Sequence, residues 1–144
     1  MSFCDPLSAQ LKTVLSGVLD ASSNPTFVDI KEYPTTSFSG YPSAIILPSN
    51  GQTGSFETQI ENVRFYVFDV IIYYQAETGQ DTDWRNMRQL MDATMDAIDK
   101  TIDLNGKCDF VRPAVGGWGV DQTSTGATLV GTITVICQTT VHLQ

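Results

Sequence analysis

The side chains that most often carry out catalysis are few and scattered in this sequence. His142 is the single histidine, and a lone histidine is more often solvated than catalytic, because general acid or base catalysis needs a group that is held and partnered. No GxSxG, HExxH, Walker or GxGxxG pattern is present. We therefore expect no catalytic residue, and an unrecognised enzyme is kept only as an alternative.

The cysteines and the glycine-rich stretch give no stronger indication of a site. Cys4, Cys108 and Cys137 are far apart and form no CxxC pair, so we expect reduced and buried thiols; Cys108 and Cys137 could face each other across neighbouring strands. The stretch 116–119, GGWG, has the glycine content of a phosphate-binding loop but lacks its Lys-Ser/Thr ending. We interpret it as a mobile turn and expect neither a metal nor a cofactor.

Charged residues on the second predicted helix form the one organised charge feature. This helix is predicted from Asp81 or Thr82 to Leu104, and at about 100° per residue its charged side chains fall in one stripe beside the apolar face. The stripe consists of Arg85, Arg88, Asp92, Asp96, Asp99 and Asp103. Arginines near the N-terminus and aspartates near the C-terminus oppose the helix dipole, at up to about 0.3–1 kcal/mol for each group in a terminal turn. The stripe is either a solvated face or a contact with the basic end of the same helix in a neighbouring subunit.

A long strand from Val63 to Tyr74 is predicted to be apolar on both faces. A strand with one solvated face would alternate apolar and polar residues, so this strand needs cover on both sides. We expect the face from Tyr66 to Tyr74 to lie under the helices. The other face carries Asp69 and is expected to lie toward loops or a neighbouring subunit, which adds Asp69 to the candidate interface residues.

The remaining pattern predicts helix, three strands, helix and two strands. The predicted elements are a helix ending near Asp20, an edge strand Thr26–Tyr33 with Val28 and Ile30 inward, a short strand Ser43–Leu47, a flexible loop Ser49–Gln59, a segment Lys107–Pro113, a glycine-rich loop Ala114–Gly126 and a last strand Thr128–Val141. The short strand and the long strand should pair as an antiparallel hairpin. We predict one α+β domain over residues 1–144, in two layers, with two helices on one face of a mainly antiparallel or mixed sheet.

The overall charge disfavours nucleic-acid binding. Sixteen acidic and eight basic residues give a formal net charge of −8, whereas a protein that grips phosphates needs a basic face. The first residues lack the charged and apolar pattern of a signal peptide, and no apolar run is long enough for a membrane span. We expect a cytosolic setting without membrane contact.

The order of elements resembles one known family. The residues that carry the resemblance are Tyr41-Pro42-Ser43-Ala44-Ile45-Ile46-Leu47, the aromatic strand Arg64–Tyr74, the helix opening near Asp81–Trp84, and the closing strand around Leu129–Val135. Together with the N-terminal helix they resemble the tail terminator, or minor tail protein U, family of long-tailed bacteriophages.

The resemblance implies a structural role in the virion. Such proteins form a ring, usually of six copies, on the end of the tail tube, where they stop tube polymerisation and provide the surface for head joining. Expected partners are further copies of the chain, the tail tube protein and a head–tail connector or neck protein, with DNA passing an acidic lumen without specific binding. The implied location is the virion tail, and the host cytoplasm during assembly. Other neck, tail-completion or connector proteins, and a small-molecule binding domain that uses the second sheet face, are the alternatives.

Overall fold

The computed structural model describes residues 4–19, 26–35, 37–49, 53–56, 61–75, 81–101, 103–104, 106–123 and 126–142. These residues form two helices and six strands. In chain order they are α1 (Cys4–Ser16), β1 (Asp29–Lys31), β2 (Ser43–Pro48), β3 (Thr53–Phe56), β4 (Glu61–Gln75), α2 (Asp81–Lys100), β5 (Phe110–Thr123) and β6 (Gly126–His142).

The six strands form one mixed sheet. Five lie in the order β1-β2-β4-β6-β5, and β3 pairs with β4 beside β2. The β1–β2 pair is parallel, whereas every other pair is antiparallel. The longest pairing joins β4 to β6, from Glu61 opposite His142 to Gln75 opposite Thr128. The predicted antiparallel pairing of β2 with β4 is confirmed.

Both helices pack on the same face of this sheet. Phe68, Val70 and Ile72 are alternate residues of β4 and therefore share one face, and all three are buried in the same cluster as the apolar stripes of α1 and α2. The cluster takes Leu7, Leu11 and Leu15 from α1 and Met87, Met91 and Ile98 from α2. The α+β fold with two helices on one face of the sheet is confirmed, as is the expected inward face of β4.

The opposite face of the sheet is partly covered within the subunit. Phe38, in the loop before β2, packs its ring 5.2 Å from that of Tyr73. Ile45, which pairs with Ile71 on this face, is 2% exposed, while Ile71 itself is half-buried. A loop thus covers the end of this face near β2. Cover by loops was one of the two expected arrangements, the other being cover by a neighbouring subunit.

The predictions for the first strand and for the Ser49–Gln59 loop need correction. β1 has three residues because only Asp29–Lys31 pair with β2. Ile30 points inward as expected, but Val28 precedes the strand and is 55% exposed. Residues 53–56 form β3 rather than a loop, paired with β4 from Thr53 opposite Phe65 to Phe56 opposite Asn62.

The largest error concerns the glycine-rich stretch 114–126, which was predicted as a loop. β5 instead continues through it to Thr123 and forms a hairpin with β6. Glycine weakens a strand but does not end it when the neighbouring strand supplies a full set of backbone partners. The register shifts once, between Val115 and Gly117, so Gly116 is the extra residue of a β-bulge.

The helices are also shorter than predicted. α1 ends at Ser16 instead of near Asp20, and α2 ends at Lys100 instead of Leu104. After α2 the chain turns tightly: Leu104 has a φ of 47° and Gly106 a φ of 82°. Gly106 of the predicted stop Asn105-Gly106 therefore lies more than one turn after the helix itself, while Asn105 lies outside the described residues.

Candidate functional site

The apolar side of α2 rests closely on β6 and fixes the position of its polar side. Met87 and Met91 are buried, at 0% and 1% exposure. They lie over Gly131, where an added Cβ would be 2.7 Å from Met87 Cε and 2.8 Å from Met91 Sδ. Trp84, one turn earlier, packs its ring edge-on against Trp118 of β5, with 6.5 Å between centroids. Because α2 packs on the sheet in this way, its opposite side faces solvent.

Five of the seven predicted interface residues come together on that solvent side. Arg85, Arg88, Asp92, Asp96 and Asp99 are all exposed, and at 100° per residue they lie within about 80° of one another around the helix. We call these five residues the α2 charged face. None of them forms an ion pair with another residue that the structure describes. The face is basic toward the N-terminus of α2 and acidic toward its C-terminus.

Asp103 does not belong to the α2 charged face. It lies beyond the end of α2 at Lys100, in the turn where the backbone N–H groups of Lys107 and Cys108 donate to its carbonyl oxygen. Because α2 ends early and has Lys100 in its last turn, the expected conflict with the helix dipole falls mainly on Asp99. That conflict is smaller than the sequence suggests.

Asp69 is also separated from the charged face. It lies on β4 opposite Leu47 of β2 and Thr134 of β6. Its position alternates with Phe68 and Val70, which face the helices, so Asp69 lies on the opposite side of the sheet. The structure therefore does not unite Asp69 and α2 in one surface of the subunit.

The side chains of Cys108 and Cys137 are in contact, which the sequence left open as a possibility, although Cys108 precedes β5 and is not on a strand. Both are free and buried, and the pKa of the Cys108 thiol is lowered because the Cys137 side chain hydrogen-bonds to it. Burial and the carboxylates of Asp103 and Asp109 act in the opposite direction. The pair belongs to the main apolar core, where free cysteines behave as small apolar side chains.

An apolar surface on β5 was not predicted from the sequence. Val115, Trp118 and Val120 are 48%, 44% and 46% exposed, and we call these three residues the β5 apolar edge. Two β-branched residues and an aromatic residue within six positions are typical of a strand. The sequence contains this strand pattern, but the glycines between these residues favoured the prediction of a loop.

A cleft lies between the two helices, and Asp96 of the α2 charged face is among the residues that line it. Its volume is about 560 Å³, and its lining includes Val14, Gly17 and Leu19 of the α1 region and Ala93 and Ala97 of α2. The cleft lies on the helix side of the sheet, whereas the small-molecule alternative relied on the other side.

Other kinds of site have little support in the described residues. Among them, no three His, Cys, Asp or Glu side chains are placed to hold a metal ion together. His142 is in β6 opposite Glu61, and its side chain lies outside the described part of the structure. No helix in the described ranges is both long and apolar enough to cross a membrane. In comparisons with known proteins, no family model and no curated protein matches this chain.

Proposed function

We propose that this protein is a structural component of a bacteriophage tail, of the tail terminator kind. In this role it forms a ring on the end of the tail tube, stops tube polymerisation and offers a surface for head joining. The α2 charged face is the structural observation that carries the self-assembly part of the proposal. The order of elements along the sequence supports the assignment to tails.

The α2 charged face is complementary to itself in a head-to-tail arrangement. Arg88 and Asp96 are about 12 Å apart along the helix axis at 1.5 Å per residue. The basic end of one copy can therefore meet the acidic end of the next without using its own acidic end. Such a contact joins two different surfaces, so it is heterologous and generates a ring when its rotation closes. The exposed positions of all five residues leave them accessible for it.

The net charge of −8 supports the expected relation to DNA. A ring whose lumen is acidic repels the phosphate backbone and lets DNA pass without being held. Tight binding of duplex DNA to purified rings at low salt would contradict this part of the proposal. The other expected partners are the tail tube protein on one side and a neck protein on the other.

A charge reversal on the acidic half of the face tests the contact between subunits. Asp96→Lys should leave the subunit folded, because Asp96 is exposed, and should weaken ring formation in solution or on purified tail tubes. Native mass spectrometry and light scattering measure the rings, and circular dichroism checks the fold. Asp103→Lys is the matched control: it makes the same charge change at an exposed residue outside the face and should leave rings intact.

A second reversal makes this test specific to pairing between copies. Arg88→Asp combined with Asp96→Lys exchanges the two charges and should restore part of the ring formation that either change alone removes. If Asp96→Lys unfolds the subunit, or if rings form as in the wild type, the α2 charged face is not the interface.

Electron microscopy of tails assembled without this protein tests the function itself. Tubes of abnormal and variable length would support a role in termination. Tails of correct length that fail to join heads would indicate a connector instead, and normal tails joined to heads would refute both roles.

A further inference from the structure

The outer edge of β5 has no strand partner among the residues that the structure describes. β5 lies at one end of the sheet and, among the described strands, pairs with β6 alone. A strand in this position presents unpaired backbone N–H and C=O groups that can pair with another strand. At 14 residues, β5 is long for an edge strand, so the unpaired groups form an extended template.

The two edge strands of the sheet differ in how they are protected against pairing with a further strand. The opposite end is β1, which has three residues and a 3.4 Å ion pair between Lys31 and Asp29. Short length and charge are the usual protections of an edge strand. On β5, Pro113 and the bulge at Gly116 interrupt the first half. The register is then regular from Gly117 to Thr123, and in this second half Asp121 is the one charged residue.

The bulge also determines which side chains share a face. Val115, Trp118 and Val120 lie opposite Ile133, Gly131 and Leu129 of β6, respectively. These three β6 positions alternate and therefore lie on the helix side of the sheet. The β5 apolar edge is thus one surface, on the side of α2 but only half covered by it.

Charge decides which kind of strand fits this edge. The chain has a net charge of −8, yet from Pro113 to Val141 its one charged residue is Asp121. A net charge of this size makes two copies repel each other overall, and the β5–β6 hairpin carries little of that charge. An uncharged strand of the same chain therefore suits the edge.

We propose that two copies of this chain pair through their β5 edges as antiparallel strands, with a two-fold axis at Gly119. In this register Trp118 of each copy lies opposite Val120 of the other, on the helix side, and aromatic–β-branched pairs of this kind stabilise antiparallel strands. Gly119 meets its own equivalent, and the space around its Cβ position is open. The contact uses none of the five residues of the α2 charged face.

Disulfide cross-linking tests the register. In a Cys4→Ser background, Gly119→Cys places two introduced thiols directly opposite each other, where Cβ atoms are about 4.5–5.5 Å apart. Copper phenanthroline with O2 removes two electrons and two protons from them and forms the bond. Gly117→Cys is the matched control, because its Cβ position is equally open but the two thiols would be about 13 Å apart along the strand.

We expect a covalent dimer on a non-reducing gel for Gly119→Cys and little or none for Gly117→Cys. Equal cross-linking of both variants, or of neither, would overturn the proposed register. Cys108 and Cys137 are buried and are not expected to contribute.

Analytical ultracentrifugation tests the apolar contact without cross-linking. Val120→Lys brings a buried charge into the pair and should weaken dimerisation at least about tenfold. Val28→Lys is the control, since Val28 is similarly exposed, at 55% against 46%, but lies next to β1. Repeating both measurements with Asp96→Lys separates this dimer from any ring. Equal effects of the two lysines, or a wild-type chain that stays monomeric at about 1 mM, would overturn the proposal.

Discussion

Replacing Gly131 by alanine tests how closely α2 lies on the sheet. The added methyl group would be 2.7 Å from Met87 Cε, and 2.8 Å from Sδ and 3.0 Å from Cε of Met91. These atoms are at the ends of flexible side chains, so they can move, but both residues are buried and have little free space. Forcing an extra methyl group into a packed core costs about 1–3 kcal/mol.

The lower backbone entropy of alanine in the unfolded chain opposes this packing cost and must be subtracted from it. Alanine in a strand is favoured over glycine by about 0.5–1 kcal/mol, because glycine loses more backbone entropy on folding. Gly131→Ala should therefore lower the free energy of unfolding by roughly 0–2.5 kcal/mol. Gly117→Ala is the control: no atom lies within 4 Å of its Cβ position, so it should be neutral or stabilising by up to about 1 kcal/mol.

The comparison of the two alanine variants isolates the packing cost. At about 2–4 °C per kcal/mol for a chain of this size, the melting temperature of Gly131→Ala should be roughly 2–12 °C below that of Gly117→Ala. Circular dichroism melts and urea unfolding of dilute samples measure the difference.

Met87→Leu removes the ε carbon that the methyl group would meet. The decrease in the free energy of unfolding of the Gly131→Ala, Met87→Leu double variant should therefore be smaller than the sum of the two single decreases, by about 0.5 kcal/mol or more. If Gly131→Ala is as stable as Gly117→Ala, α2 does not rest on Gly131, and the position assigned to the α2 charged face is wrong.

Two further predictions concern the core and the loop before β2. Phe68 is fully buried, so Phe68→Ala should cost about 3–5 kcal/mol in urea unfolding; a loss below about 1 kcal/mol would show that the sheet and helices do not meet there. The Ser39 N–H, 3.1 Å from Asp29 Oδ2, and Lys31 hold the pKa of Asp29 below its ordinary value of 3.8. Its contribution to stability is therefore present above pH 3.8 and is lost as the pH falls through the folded pKa. NMR titration should give a carboxyl pKa below 3.8, and Asp29→Asn should abolish this part of the acid dependence.

Periodicity was sufficient to predict the helices and the central strands. The spacing of Met87, Met91 and Ile98 on one side of α2 is that of a helix on a sheet, and all three are buried there. The apolar faces of Val63–Tyr74 likewise identified the strand at the middle of the sheet. These elements were predictable because their own residues supply the apolar surface that holds them.

Elements held mainly by their neighbours were not predictable. Glycines lower the strand preference of β3 (Thr53–Phe56) and of the second half of β5, and both form because β4 and β6 offer backbone partners. Asp103 was misplaced for a related reason. The charge pattern continues past Lys100, but the helix does not, since the backbone turns at Leu104 and Gly106. The candidate site was thus found in outline, while its C-terminal limit and the β5 apolar edge required the tertiary structure.

The contact between Trp84 and Trp118 gives this protein an optical reporter of its own. These are the two tryptophans of the chain, with ring centroids 6.5 Å apart, so one intrinsic emission and near-ultraviolet signal originates at the junction of α2 and β5. A strand that pairs with β5 would bury Trp118, now 44% exposed, and shift the emission to shorter wavelength. The emission of an unlabelled sample can therefore report whether Trp118 of β5 is covered as the protein assembles.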